Sequence, residues 1–322
     1  VSIHMKSVVL INREFDSFQE IVEMASGWDA DFRQLTREDF KPHVFQAKTD
    51  LLLLSNVQFG CVVDQRGATP PGMRTFALPN PECPEFNWFG QKINQNDLLI
   101  FPVHGELDAF TRTGFNVMTF SIPESYLLER FKRDTTFSQK KLPTGAMIKP
   151  LPAVNAFSLR RLLNQLVHLL ENDSLIPDYD MHINIIQSEL LEQLLTILNK
   201  SPADLANMNI KRVKKLKALT HYIDTHITEA ITINDLCQQV KSSERTIQNL
   251  FKKELGILPK AYISGQKLYR AHRTLWRNQR SNLKIIQIAN EAGIWHMGQF
   301  AADYKKMFDE LPSETLKPDD HV

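Results

Sequence analysis

The chain has 322 residues, enough for about two domains, and its 43% hydrophobic content suits globular units with buried cores. No run of about 18 apolar residues occurs, which excludes a membrane-spanning helix, and the start of the chain lacks a secretory apolar segment with a cleavage site. The net charge of +1 conceals a division: residues 201–322 carry 19 Lys/Arg against 13 Asp/Glu, whereas residues 1–200 carry 19 against 24. A basic C-terminal third is what a polyanionic partner requires. Cys61, Cys83 and Cys237 form no metal-spaced or CxxC pair and read as reduced thiols in a cytoplasm.

Val1-Ser-Ile-His4, ahead of Met5, reads as an appendage outside the fold. Helical apolar spacing at Phe15, Phe18, Ile21 and Val22 predicts a helix from Phe15 to Ala25. From about Asp31 the pattern becomes short apolar or alternating runs: His43–Ala47, Leu51–Val57, Cys61–Val63, Arg74–Leu78, Leu98–Val103 and Phe115–Ile122. Gly, Pro and Asn punctuate them, and no crossover helices intervene. Regularly spaced short strands of this kind predict an antiparallel barrel or sandwich and argue against a parallel α/β sheet.

A helix follows at about 123–131, then two Leu-rich helices at 156–170 and 182–198. Their wide apolar stripes suit either intrachain core or a homodimer interface. Ser201-Pro-Ala-Asp breaks the pattern, and 201–210 reads as a linker between a domain over 1–200 and another over 211–322. The basic run Lys211-Arg-Val-Lys-Lys-Leu-Lys opens the second domain, with Val213, Leu216, Leu219, Tyr222 and Ile223 as one buried stripe.

The last hundred residues repeat one design. Ile233-Asn-Asp-Leu-Cys-Gln-Gln-Val, Lys241-Ser-Ser and Glu244-to-Gly256 form helix, turn and helix. Ile285-to-Ala292, Gly293-Ile-Trp-His and Met297-to-Phe308 form the second copy. The units span about 233–256 and 285–308. Thr232 with Asp235 is a capping-box-like pair, and Ser243 caps the next helix. Pro259 opens a spacer helix to about Trp276, roughly 27 Å long at about 1.5 Å per residue. With its flanking turns it can hold two recognition helices near the roughly 34 Å repeat of one duplex face.

On the exposed sides of the second helices, Arg245, Thr246, Gln248 and Asn249 are placed for base edges. Arg pairs with guanine, Gln and Asn with adenine. Lys252 and Lys253 suit phosphate. In the second copy His296, Met297 and Gln299 are the exposed candidates, with Lys305 on the same helix.

In the first half, Arg66 and Arg74 flank a glycine-rich turn, with Trp88 downstream. They suggest an anionic, stackable effector such as a nucleotide-like messenger or a carboxylate. The alternative is a hairpin with solvated arginines. His43 and His104 stand apart, and no GxSxG, HExxH, Walker A or GxGxxG occurs. The chain therefore reads as a non-enzyme with no catalytic residue, metal or cofactor. A cupin-type enzyme with a DNA-binding tail, and a constitutive DNA-binding dimer without ligand, stay open as alternatives.

The block Lys211 to Leu316 resembles the DNA-binding domain of AraC/XylS-family transcription regulators. The matching residues are Ile233–Leu236, Ser243-x-Arg-x-Ile-Gln-x-Leu-Phe-Lys, Leu255-Gly-x-x-Pro-x-x-Tyr262, Leu268-x-x-Ala271, Ile288-Ala289, Gly293, Phe300, Tyr304-Lys-Lys and Pro312-Ser. Gly293 to Tyr304 with Phe308-x-x-x-Pro-Ser-x-Thr-Leu316 is similar to the branch containing the ethanolamine-utilisation regulator. Cys237 stands where the family usually has Ala, Ile294 where it has Phe, Asp309 where it has Gly, and Ala302-Asp303 where many members carry Arg. The resemblance implies an α+β chain in which a cupin-like β-barrel sensor with a helical dimerisation segment precedes an all-α double helix-turn-helix. It also implies double-stranded promoter DNA, a small-molecule effector, a homodimer and contact with RNA polymerase as partners, and no membrane.

Overall fold

Strands buried on both faces read as nearly unbroken apolar runs, and such strands build the centre of the N-terminal half. The structure, a computed structural model, describes residues 7–24, 29–103, 105–133, 145–172, 178–199 and 210–317. Twelve strands are described: β1 (Val8–Glu14), β2 (Asp29–Gln34), β3 (His43–Lys48), β4 (Leu53–Phe59), β5 (Val63–Ala68), β6 (Met73–Pro79), β7 (Phe86–Trp88), β8 (Gln91–Ile93), β9 (Asp97–Ile100), β10 (Glu106–Phe110), β11 (Phe115–Pro123) and β12 (Met147–Pro150). They form two antiparallel sheets, one in the order β1-β3-β4-β11-β6-β9-β12 and the other β2-β5-β10-β7-β8.

The helices are α1 (Phe18–Met24), α2 (Glu124–Arg133), α3 (Ala153–Glu171), α4 (Tyr179–Asn199), α5 (Ile210–Thr225), α6 (Ile233–Val240), α7 (Glu244–Leu255), α8 (Pro259–Arg277), α9 (Ile285–Glu291), α10 (Met297–Phe308) and α11 (Pro312–Leu316). The chain is therefore α+β, with an antiparallel barrel followed by a helical domain.

Side-chain alternation sorts the seven-stranded sheet into two cores. Phe45, Phe76, Leu98, Met118 and Phe120 pack with Leu159, Leu163, Leu190 and Leu194 of α3 and α4. Their neighbours Val44, Ala77, Leu99 and Val117 point the other way, into a core shared with Phe86, Trp88, Leu107 and Ala109 of the five-stranded sheet. The order of layers is helices, long sheet, inner core, short sheet.

Several expectations shift. The helix expected from Phe15 begins at Phe18, because β1 runs to Glu14 and the Phe15 N–H still donates to the Pro42 carbonyl at 3.0 Å. The run at Cys61 leads into β5 rather than forming it, with Cys61 buried ahead of Val63. Strands β1, β2, β7, β8, β10 and β12 were not among the expected runs. Residues 1–6, the linker at 201–209, and His104 lie outside the described residues, as do the side chains of Val22 and Val213.

Candidate nucleic-acid interface

Local chemistry fixes both helix-turn-helix units. Thr232 and Asp235 form a reciprocal capping box: Asp235 N–H donates to Thr232 Oγ1 at 3.3 Å, and Thr232 N–H to Asp235 Oδ2 at 2.7 Å. Ser243 Oγ accepts from Thr246 N–H at the start of α7. Gly256 closes α7 at φ 77°, a left-handed position that glycine takes without strain. Asp309 closes α10 at φ 64°, where a glycine would sit more easily. Pro259 starts α8 at a position needing no N–H donor. The 19 residues of α8 make a spacer of roughly 28 Å.

Each unit has its own core. Leu219, Ile223, Leu236, Ile247, Phe251 and Tyr262 fill the first. Leu268, Leu275, Ala289, Phe300, Tyr304 and Met307 fill the second. Helices α7 and α10 then contribute opposite walls of one open groove of about 750 Å³, into which Gln248 and Gln299 both face.

Arg245, Thr246, Gln248, Asn249, Lys252 and Lys253 are all exposed on α7, as are His296, Gln299 and Lys305 at α10. Met297 is half-buried against the second core. Thr246 also shares a hydroxyl contact with Ser243 at 2.9 Å, so the cap partly engages it. Both glutamines are tethered: Gln248 Nε2 donates to Glu244 at 2.7 Å, and Gln299 Nε2 to Asp303 at 2.8 Å. A tethered amide keeps its second N–H and its carbonyl free, the pair that adenine N7 and N6 require. Trp295, 60% exposed, also lines the groove.

The back of this domain rests on the outer face of the five-stranded sheet. In β5, Val63 and Gln65 face inward while Asp64 and Arg66 face the helices. In β2, Phe32 faces inward while Asp31 and Arg33 face outward. Asp64, fully buried, accepts from Arg66 Nε at 3.1 Å, Tyr262 Oη at 3.0 Å and Gln266 Nε2 at 2.8 Å.

Asp224 of α5 takes both Arg66 and Arg33, and Arg273 of α8 reaches Asp31 at 3.2 Å. Lys217 reaches Asp108 of β10 at 2.7 Å. Asn87 of β7 and Arg112 donate to the Glu254 and Lys253 carbonyls at the end of α7. A Cβ on Gly265 would lie 2.7 Å from the Leu35 carbonyl, so α8 meets backbone there. Burial raises the Asp64 carboxyl, while Arg66 and Arg33 pull it down. Burial works against the Arg66 guanidinium, but Asp64, Tyr262 and Asp224 together outweigh it and leave Arg66 more basic than usual.

The structure places Arg66, Arg74 and Trp88 in three different settings. Arg66 belongs to the domain contact. Arg74 is buried in a two-pronged pair with Glu124, at 2.9 and 2.7 Å, and donates to the Phe101 carbonyl. Neither lines the barrel cavity, and carboxylates from neighbouring elements pair with both. Trp88 does line it, with Phe15, Phe32, Phe59, Phe101 and Phe115. The cavity holds about 80 Å³ and is walled mainly by apolar side chains. Trp88 Nε1 is buried there without a hydrogen-bond partner among the described residues.

Residues 236–318 match the family described as a helix-turn-helix domain. A XylDLEGF operon transcriptional activator of Pseudomonas putida is 32% identical over 149 residues, 46% of this chain and 44% of that protein. The HTH-type transcriptional regulator ExsA of Pseudomonas aeruginosa is 25% identical over 175 residues, 53% of this chain and 60% of that one. The chain thus spans about half the length of these curated relatives.

Among solved structures, a probable AraC family transcriptional regulator from Rhodopseudomonas palustris is 31% identical, with a TM-score of 0.30 over 32% of this chain and 94% of that one. The AraC-like transcriptional activator CuxR is 12% identical, with a TM-score of 0.42 over 83% and 94%. The C-terminal pair of helix-turn-helix units is thus similar to the corresponding part of AraC/XylS-type transcription regulators.

Proposed function

We propose that the chain is a transcription regulator that binds double-stranded promoter DNA through α7 and α10 and senses a small effector in the barrel. The observation that carries this is the pair of recognition helices, set on one spacer, open to a common groove and lined with exposed amide and basic side chains. Arg245, Gln248, Asn249, His296 and Gln299 are the base readers, and Lys252, Lys253 and Lys305 the phosphate contacts.

The effector is small and mainly apolar, with one hydrogen-bond acceptor for Trp88 Nε1. A nucleotide-sized anion would leave its charge uncompensated among apolar walls, which is costly. Val154 and Phe157 of α3, and Met181 and Ile185 of α4, are large exposed apolar side chains. They support a homodimer through these helices.

Selection of duplexes from a random-sequence pool by the full chain tests the DNA reading. Enrichment of a bipartite site is expected, and recovery of unrelated sequences alone would end it. On a selected duplex, Lys252→Ala should weaken cognate and random DNA alike and lower the salt slope by about 1. Affinity measured at several salt concentrations checks this; a loss confined to one base position would instead make Lys252 a base reader.

A further inference from the structure

The two cores on α8 share no residue: the first ends on this helix at Ile263 and the second begins at Leu268. Lys267 stands at that boundary. Its Nζ donates to the Glu229 carbonyl at 2.8 Å, in the turn between α5 and α6, and to the Gly293 carbonyl at 2.9 Å, in the turn between α9 and α10. One ammonium thus holds a backbone oxygen of each unit, with no carboxylate paired to it among the described residues. Bonds from a charged donor are roughly twice as strong as neutral ones, and partial burial keeps water from competing for this one.

The units also touch directly at the same place. Gly293 has φ 77°, and a Cβ there would lie 2.6 Å from the Ile227 carbonyl, 2.9 Å from Thr228 Cα and 3.0 Å from Lys267 Nζ. Lys267 and Gly293 line the groove that separates α7 from α10. A change at this fastener turns one recognition helix against the other without disturbing either core.

We propose that Lys267 is the positioning residue that sets the separation of the two recognition helices and so the spacing of half-sites the protein accepts. The role in DNA rests on the function proposed above; the role in geometry stands without it.

Two measurements on the full chain test it. In a Cys83→Ser, Cys237→Ser background, nitroxides at Asn249→Cys and Lys305→Cys report the distance between α7 and α10 without DNA. A narrow distribution is expected, and Lys267→Met should broaden or shift it; an unchanged distribution overturns the proposal.

The second uses duplexes selected by the parent chain, with one base pair added or removed between half-sites. The parent should lose at least about tenfold on the shifted duplexes, and Lys267→Met should shrink that penalty to within about threefold. Lys267→Arg should retain the penalty, and Gly293→Ala, which wedges the same contact, should change it as Lys267→Met does. A uniform loss at every spacing with a lower salt slope would make Lys267 a phosphate contact and overturn the proposal. If the parent selects no duplex, the DNA reading fails, and the label distances still decide the geometric role.

Discussion

Asp64→Ala is expected to detach the C-terminal helical domain from the barrel at a cost of about 3–5 kcal/mol, the range for breaking a buried ion pair by removing one partner. Asp64 is the hub of the contact. Its carboxylate collects Arg66, Tyr262 and Gln266, and its side chain is fully buried. Removing it leaves the Tyr262 hydroxyl and the Gln266 amide without that acceptor. It also leaves Arg66 with Asp224 alone among its ion pairs.

Each half also has a core of its own, the barrel in its sheets and the second helix-turn-helix unit around Phe300 and Tyr304, so loss of the hub should separate their unfolding. Calorimetry should show two transitions where the parent shows one coupled transition. A single transition within about 0.5 kcal/mol of the parent would show that the apolar contact of Leu35, Val62 and Phe110 with α5 and α7 suffices alone.

Arg245→Ala should cost about 1–3 kcal/mol on the cognate duplex and relax preference at one guanine. Arg245 is exposed near the start of α7 and makes no hydrogen bond or ion pair among the described residues. Its removal should therefore leave thermal stability within about 0.5 kcal/mol, so the loss reports on DNA alone. Gln248 differs, because DNA must share its amide with Glu244. Titration of cognate, single-substituted and random duplexes checks the role; equal losses on all three would assign Arg245 to phosphate.

The helix-turn-helix units were legible because their determinants are local. Thr232, Ser243, Gly256 and Pro259 each act within four residues, and apolar spacing marks each buried stripe. Strands β3, β4, β6 and β11 were legible through apolar runs buried on two sides. Strands β2 and β5 were harder, because Asp-x-Asp-Phe-Arg and Asp-Gln-Arg alternate charge with inward residues as a solvated strand does. Only the fold shows that the charged side meets α5 and α8. Arg66 and Arg74 misled for the same reason: the partners that neutralise them, Asp224 and Glu124, are remote in sequence. The cavity gathers residues from β1 to β11 and leaves no local motif.

One wall joins the cavity to the helical domain. Phe32, Gln65, Leu107 and Trp88 line the cavity from the inner face of the short sheet. Their sequence neighbours Arg33, Asp64, Asp108 and Asn87 hold the helical domain on the outer face. Under the proposed function, an effector that moves the inner residues would tilt the outer ones on the same strands, and Asn87 and Arg112 carry that wall to the end of α7.

The most direct test is a hydroxyl-radical footprint of the full chain on a duplex it selects. Two protected segments on one face, with centres about 10–10.5 base pairs apart, are expected if α7 and α10 enter successive major grooves. A single protected segment, or two segments on opposite faces, would contradict that geometry.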